Sequence, residues 1–345
     1  MSEETSPLNI YKSLPKVELH RHLEGSLRLQ TMLDVAHAHG ITVPASIMRL
    51  SDMVQVQDED PLTFQNFLAK FNTLRLFYKS PDVIHRVTRE AVEDAARDNV
   101  KYMELRFTPV ALSRAERFPL HDVMDWVCTS AADAAEEFDI QVRLLASVNR
   151  HESPELAEQV AWLAASHIER GIVGMDLAGN EAEFSAMPFA GLFSEAKQAG
   201  LHLTIHAGEW AGAENVREAI EDLGAERIGH GVRVMEDGEV VALARERGTI
   251  FEVCVTSNYQ SGVVPALSDH PLPRMMQADL NVTLNTDDPS VSRIDLSHEF
   301  KLVREDLGVP MEVLKERVLA AAKAAFLPDD EREELVGKLE KDLKL

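Results

Sequence analysis

A strand-like run followed by a helix-like run recurs eight times along this chain, and that alternation limits the fold more than any other feature. The strand candidates are KVELHRH (16–22), VKYMELRF (100–107), QVRLLASV (141–148), GIVGMDLA (171–178), LHLTIHA (201–207), ERIGHG (226–231), TIFEVCVT (249–256) and LNVTLNT (280–286). Helical patterns such as SPDVIHRVTREAVEDAARDN and SPELAEQVAWLAASHIERG lie between them. They open on Ser-Pro and close on Asn or Gly, as helix ends do. Strands alternating with helices build a parallel sheet. Eight such units in 345 residues predict an α/β chain closed into a (β/α)8 TIM barrel, one domain spanning 1–345. The segment from about 28 to 99 is too long for one helix. LRLQTMLDVAHAHG is one, and DPLTFQNFLAKFNTLRLFYKS holds at least one more. This predicts a helical subdomain inserted after the first strand, and on the active-site face it would form a lid.

The strand ends concentrate the polar residues. His20 and His22 share a face of the first strand by its two-residue period. His206 ends the fifth strand, with Glu209 just beyond. His230 ends the sixth, and Asp287 and Asp288 follow the eighth. In a parallel barrel these ends converge on one mouth, where such folds keep their chemistry. His20, His22, His206 and Asp287 together make a divalent-metal set. Nitrogen with one carboxylate suits zinc or a neighbouring transition metal rather than magnesium or calcium. His230, Glu209 and Asp288 remain as unligated proton carriers, which is the outfit of a hydrolase. Taken singly, each of these residues reads as a loop, turn or structural group; their meeting at one rim gives them a function.

Other polar residues gain nothing from this pattern. His85, His121, His151, His167, His270 and His298 lack partners in the sequence and read as surface or structural. Glu104 and Arg106 share strand parity and are expected to pair inside the barrel, since a buried charge needs a partner. His202 has the parity of His206 and is expected to be structural. Phe64, Phe67 and Phe71 recur at helical spacing on one face, which in a lid would cover an aromatic substrate.

Composition narrows the partners. Apolar residues make up 45% and charged residues 27%, and 35 Lys and Arg face 58 Asp and Glu, for a net charge of −23. A polyanion would be repelled, so neither nucleic acid nor an anionic membrane is an expected partner. No apolar run reaches the ~18–20 residues of a membrane span. MSEETSPLNIYKSLPK has no apolar signal core. Cys128 and Cys254 are isolated in apolar stretches, without a C-x-x-C. They read as buried thiols of a cytoplasmic protein.

LPKVELHRHLEGSL, MDLAGNE, TIHAGE, ERIGHGV, CVTSNYQSG and LNTDDP, in this order, resemble the adenosine deaminase family of the amidohydrolase superfamily. The resemblance covers nearly the whole chain and implies a (β/α)8 barrel, one zinc ion, and hydrolytic deamination at C6 of a purine. It makes His20, His22, His206 and Asp287 the zinc ligands. His230 would take a proton from the attacking water, and Glu209 would protonate N1. Asp288 would bind N7, and the Gly179 N–H would bind N3. Phe64, Phe67 and Phe71, with His22, would border the substrate. The fourth strand lacks the lysine of two-metal relatives, which implies one metal. Deaminases of nucleic-acid bases that use a C-x-x-C zinc site are a different type.

Glu24 departs from the pattern, because adenosine deaminases place Asp there to meet the sugar 5′-OH. HLEGSL is more similar to adenine-deaminase members. DLAGNE, CVTSNYQSG and LNTDDP favour adenosine, with adenine and a 5′-modified nucleoside such as aminodeoxyfutalosine as alternatives. A metal-free paralogue serving as a binding protein, or an amidohydrolase acting on a peptide or ester, are the readings outside this chemistry.

Overall fold

The computed structural model describes residues 7–345. Eight parallel strands run in sequence order: β1 (Lys16–His22), β2 (Val100–Phe107), β3 (Gln141–Asn149), β4 (Ile172–Ala178), β5 (His202–Ala207), β6 (Arg227–His230), β7 (Ile250–Val253) and β8 (Asn281–Leu284). The first and last strands meet through a short bridge. The His22 N–H donates to Asp287 O at 2.8 Å, and the Asp287 N–H donates to His20 O at 3.0 Å. The expected (β/α)8 barrel is therefore present, and its seam lies within the candidate metal set. Among the described residues no helix is long and apolar enough to cross a membrane.

Between β1 and β2 lie the helices Leu29–His39, Ile47–Val54, Phe64–Leu74 and Pro81–Arg97. The last of these is the barrel's own crossover helix. Ser80 caps it by accepting from the Val83 N–H, Pro81 starts it, and its apolar face packs on β2 and on the helix Leu120–Phe138. The inserted part is thus narrower than 28–99, because the end of that segment belongs to the barrel.

Strands β6, β7 and β8 stop short of the apolar runs that suggested them. After Val253 the chain turns at once into the helix Val255–Gln260. The cause is remote: the buried Glu299 carboxylate accepts the N–H groups of Val255, at 2.8 Å, and Thr256. A side-chain acceptor at a helix N-terminus satisfies its free donors. His230 and Asp287 end their segments in left-handed backbone, with φ of 59° and 66°. That conformation is strained for a residue with a Cβ and gathers at functional positions.

The barrel interior is charged rather than oily. Glu104 and Arg106, both fully buried, do not pair with each other. Arg227 takes Glu104, while Arg106 Nη2 meets Glu252 Oε2 at 2.7 Å and its Nη1 lies 3.5 Å from Asp176 Oδ2. Residues two apart on a strand are separated along the barrel axis, whereas these pairs reach across the barrel interior between strands that are not neighbours. At the opposite end of the barrel, Phe326 lies under the Arg227 guanidinium at 3.5 Å and stacks on His202 at 4.4 Å. His202 also bonds Glu226 at 2.9 Å. It is half-exposed at that end, so its role is structural.

Candidate active site

The C-terminal strand ends surround an open-mouthed cavity. His22, Glu24, Gly179, His206, Glu209, His230, Asp287 and Asp288 all line it. His20 lies directly beneath, fully buried. Phe67, Leu68 and Phe71 of the inserted helices form an apolar wall, together with Trp210. Phe64 does not line the cavity. It stacks on Trp210, itself a lining residue, with ring centroids 5.2 Å apart.

Three imidazoles and one carboxylate face a common point. His20 Nε2 and His22 Nε2 lie 3.2 and 3.3 Å from Asp287 Oδ1, and His22 Nε2 lies 3.4 Å from His206 Nε2. The ligand atoms of this quartet all lie within 4.8 Å of one another. Two buried carboxylates fix the rings from behind: Glu252 Oε2 sits 2.8 Å from His20 Nδ1, and Asp176 Oδ1 sits 2.8 Å from His206 Nδ1. A carboxylate at Nδ1 holds the proton there, so each Nε2 turns a lone pair inward. His20 Nε2 is buried and makes no hydrogen bond. Converging lone pairs beside a carboxylate repel one another unless a cation sits among them, so the residues fit a divalent transition metal.

A second grouping, His20, His230, Cys254 and Asp287, is also compact. It shares His20 and Asp287 with the first and differs in His230 and Cys254, both buried.

Burial biases the two remaining acids, Glu209 and Asp288, toward their protonated forms. Burial raises Glu209 well above the ordinary carboxylate range, with the Asp287 and Glu181 charges adding to it. Burial and the adjacent Asp287 raise Asp288 in the same way. Asp287 stays well below that range: burial works against it, but the surrounding imidazoles, His230 first, outweigh burial. Neighbouring acids are thus split into one base and two acids, as proton-transfer sites require.

Support for these groups comes from further residues around the cavity. Glu181 accepts backbone N–H groups from Gly208, at 2.9 Å, through Ala211, at 2.9 Å, and so anchors the loop that carries Glu209 and Trp210. Ser257 Oγ donates to Asp287 Oδ2 at 2.6 Å. A Cβ on Gly25 would fall 1.8 Å from Asp288 Oδ1, so the glycine makes room for that carboxyl. Glu24 Oε1 accepts the Thr108 N–H at 2.6 Å, while its Oε2 is buried without a partner. Asp288 Oδ1 and Trp210 Nε1 are likewise unpaired. Unpaired buried polar atoms around one cavity mark where a polar ligand belongs.

A sequence model of the adenosine deaminase family matches residues 15–342. The chain belongs to the adenosine deaminase family. An adenosine deaminase of Klebsiella pneumoniae (strain 342) is 35% identical over 96% of this chain and 99% of its own length. Among solved structures, the adenine deaminase AAur1117 from Arthrobacter aurescens superposes with a TM-score of 0.89 at 27% identity, covering 96% of this chain and 100% of that one. A cog1816 amidohydrolase from Burkhoderia ambifaria with bound Zn gives 0.88 at 25% identity, over 100% of this chain and 96% of the other. The chain is an enzyme of the hydrolytic deaminase type.

Proposed function

We propose that this chain is a zinc-dependent deaminase that converts adenosine, and 2′-deoxyadenosine, to inosine and ammonia. One observation carries the proposal: a metal-fitting quartet opens into the same cavity as two carboxyls that burial raises well above the ordinary carboxylate range. His20, His22, His206 and Asp287 would hold the zinc, which when bound supplies a water of lowered pKa and a counter-charge for the attacking oxygen.

The chain's own residues do the rest. A purine is a poor electrophile at C6, and protonating N1 corrects that. Glu209, protonated by its buried surroundings, is the group that places this proton. Asp288 keeps its proton and donates it to N7. Gly179, in left-handed backbone with φ 92° at the cavity wall, offers its N–H to N3. His230 Nε2 faces Glu209 Oε2 at 3.7 Å and Asp287 Oδ2 at 3.8 Å, beside the attacking oxygen. Phe67, Phe71 and Trp210 cover the base and keep bulk water out. Residues 1–345 act as one catalytic domain, with the inserted helices before Pro81 as its lid. A small neutral purine suits a chain of net charge −23, which repels nucleic acid and anionic membranes. The two unpaired buried thiols suit the cytoplasm.

A second reading, adenine as substrate, is favoured by Glu24. The side chain is one methylene longer than the family's aspartate, and its Oε2 is buried at the cavity wall without a partner. Ammonia release from adenosine, 2′-deoxyadenosine, adenine, aminodeoxyfutalosine and AMP separates the readings. The proposal expects the first two to react fastest; turnover of adenine alone would replace adenosine with the free base.

A further inference from the structure

Asn258 sits between two histidines and is itself fully buried. Its side-chain nitrogen lies 3.0 Å from His230 Nδ1, and its Oδ1 lies 3.2 Å from His270 Nε2. His270 Nδ1 in turn lies 3.1 Å from the backbone N of Leu272, at the start of the helix Leu272–Gln277. The proton positions along this line follow from its far end. A backbone N–H can only donate, so His270 Nδ1 accepts and is bare. Burial, with no acid beside the ring, holds the His270 pKa down to about 3, so the neutral imidazole carries its one proton on Nε2. That proton is donated to Asn258 Oδ1, which fixes the amide's orientation. The amide NH2 then points at His230, and it too can only donate.

We propose that Asn258 and His270 are positioning residues that lock His230 in the tautomer with a bare Nδ1 and a protonated Nε2. This rests on the reading of His230 as the group beside the attacking oxygen. The contrast with its neighbours is chemical. His20 and His206 have carboxylates at Nδ1 and so turn bare Nε2 atoms inward. His230 has an amide donor at Nδ1 and so turns an N–H inward. Side chains of one type on one rim are divided into metal ligands and a hydrogen-bond donor by what touches the rear nitrogen. His230 accordingly meets the reaction as a donor that steadies negative charge on the attacking oxygen. Taking a proton at Nε2, the role that the family resemblance assigns, would first require the ring to give one up.

Two-bond 1H–15N correlation spectra of 15N-histidine-labelled protein, with and without zinc, test this, with His230→Gln identifying the resonance. The wild type should show His230 with a protonated Nε2 and an unprotonated Nδ1. Asn258→Asp keeps an acceptor for His270 but puts an acceptor at His230 Nδ1, so the pattern should reverse. Its kcat should fall by about 10²-fold or more while KM changes by less than about threefold. A bare Nε2 in the wild type, or an unreversed pattern in Asn258→Asp, overturns the proposal. If Asn258→Asp does not fold, the wild-type spectrum alone decides. The predicted tautomers in a protein inactive on every purine would sustain the lock and refute the deaminase reading instead.

Discussion

Glu252 Oε2 lies 2.8 Å from the Nδ1 of His20, and both side chains are wholly buried. The same carboxylate holds Arg106 and Arg227, each at 2.7 Å. One acid thus joins the barrel's internal ion pairs to the metal set. Glu252→Gln should weaken metal retention by about 10–100-fold. It should also lower the melting temperature, since uncompensated buried charge costs about 3–5 kcal/mol. Chelator competition and thermal unfolding measure the two effects. Unchanged metal affinity would show that His20 is oriented by something else.

Gly25 gives a sharper separation of activity from stability. Gly25→Ala forces a methyl into the space of the Asp288 carboxyl. The loop around Gly25 is held by backbone bonds that the methyl leaves alone, such as Gly25 O to the Ser290 N–H at 2.8 Å. The expected result is a fall in kcat of about 10²-fold or more. The melting temperature should move by only a few degrees. Normal turnover would mean that Asp288 does not need its present position.

His270 makes the fold sensitive to acid. Its pKa falls from the usual 6.5 to about 3 in the native state, because burial disfavours the charged ring. Between those values the unfolded chain binds a proton that the native ring refuses. Stability is therefore present in full above about pH 6.5 and is lost as pH falls toward 3. From pH 6.5 to 5 the loss from this group is roughly 1.5 kcal/mol. Urea midpoints of His270→Gln should decline less steeply over that range than those of the wild type; parallel slopes would contradict the assignment.

The meeting of these residues at one rim was legible because strand parity and the barrel rule act locally. His20 and His22 are two apart on one strand, and His206 and Asp287 follow apolar runs. The supporting groups were not legible. Glu252 and Asp176 sit within strands that read as ordinary core, and the sequence does not say which ring each will meet. Asn258 lies in a motif that marked the family without revealing a role, and His270 has no pattern at all. Their partners are 12 to 232 residues away, so only the closed barrel brings them together. Phe64 shares the helical spacing of Phe67 and Phe71, but its partner Trp210 lies on a distant loop that Glu181 anchors, which helical spacing alone does not reveal.

The central claim is that His20, His22, His206 and Asp287 hold one zinc ion that serves adenosine deamination at this cavity. The most direct test measures metal content and adenosine turnover on one preparation through chelation and zinc return. The account predicts one zinc per chain, loss of turnover with loss of metal, and recovery of both together. Full turnover by the metal-free protein, or a fully loaded protein inert toward every 6-aminopurine, would contradict it.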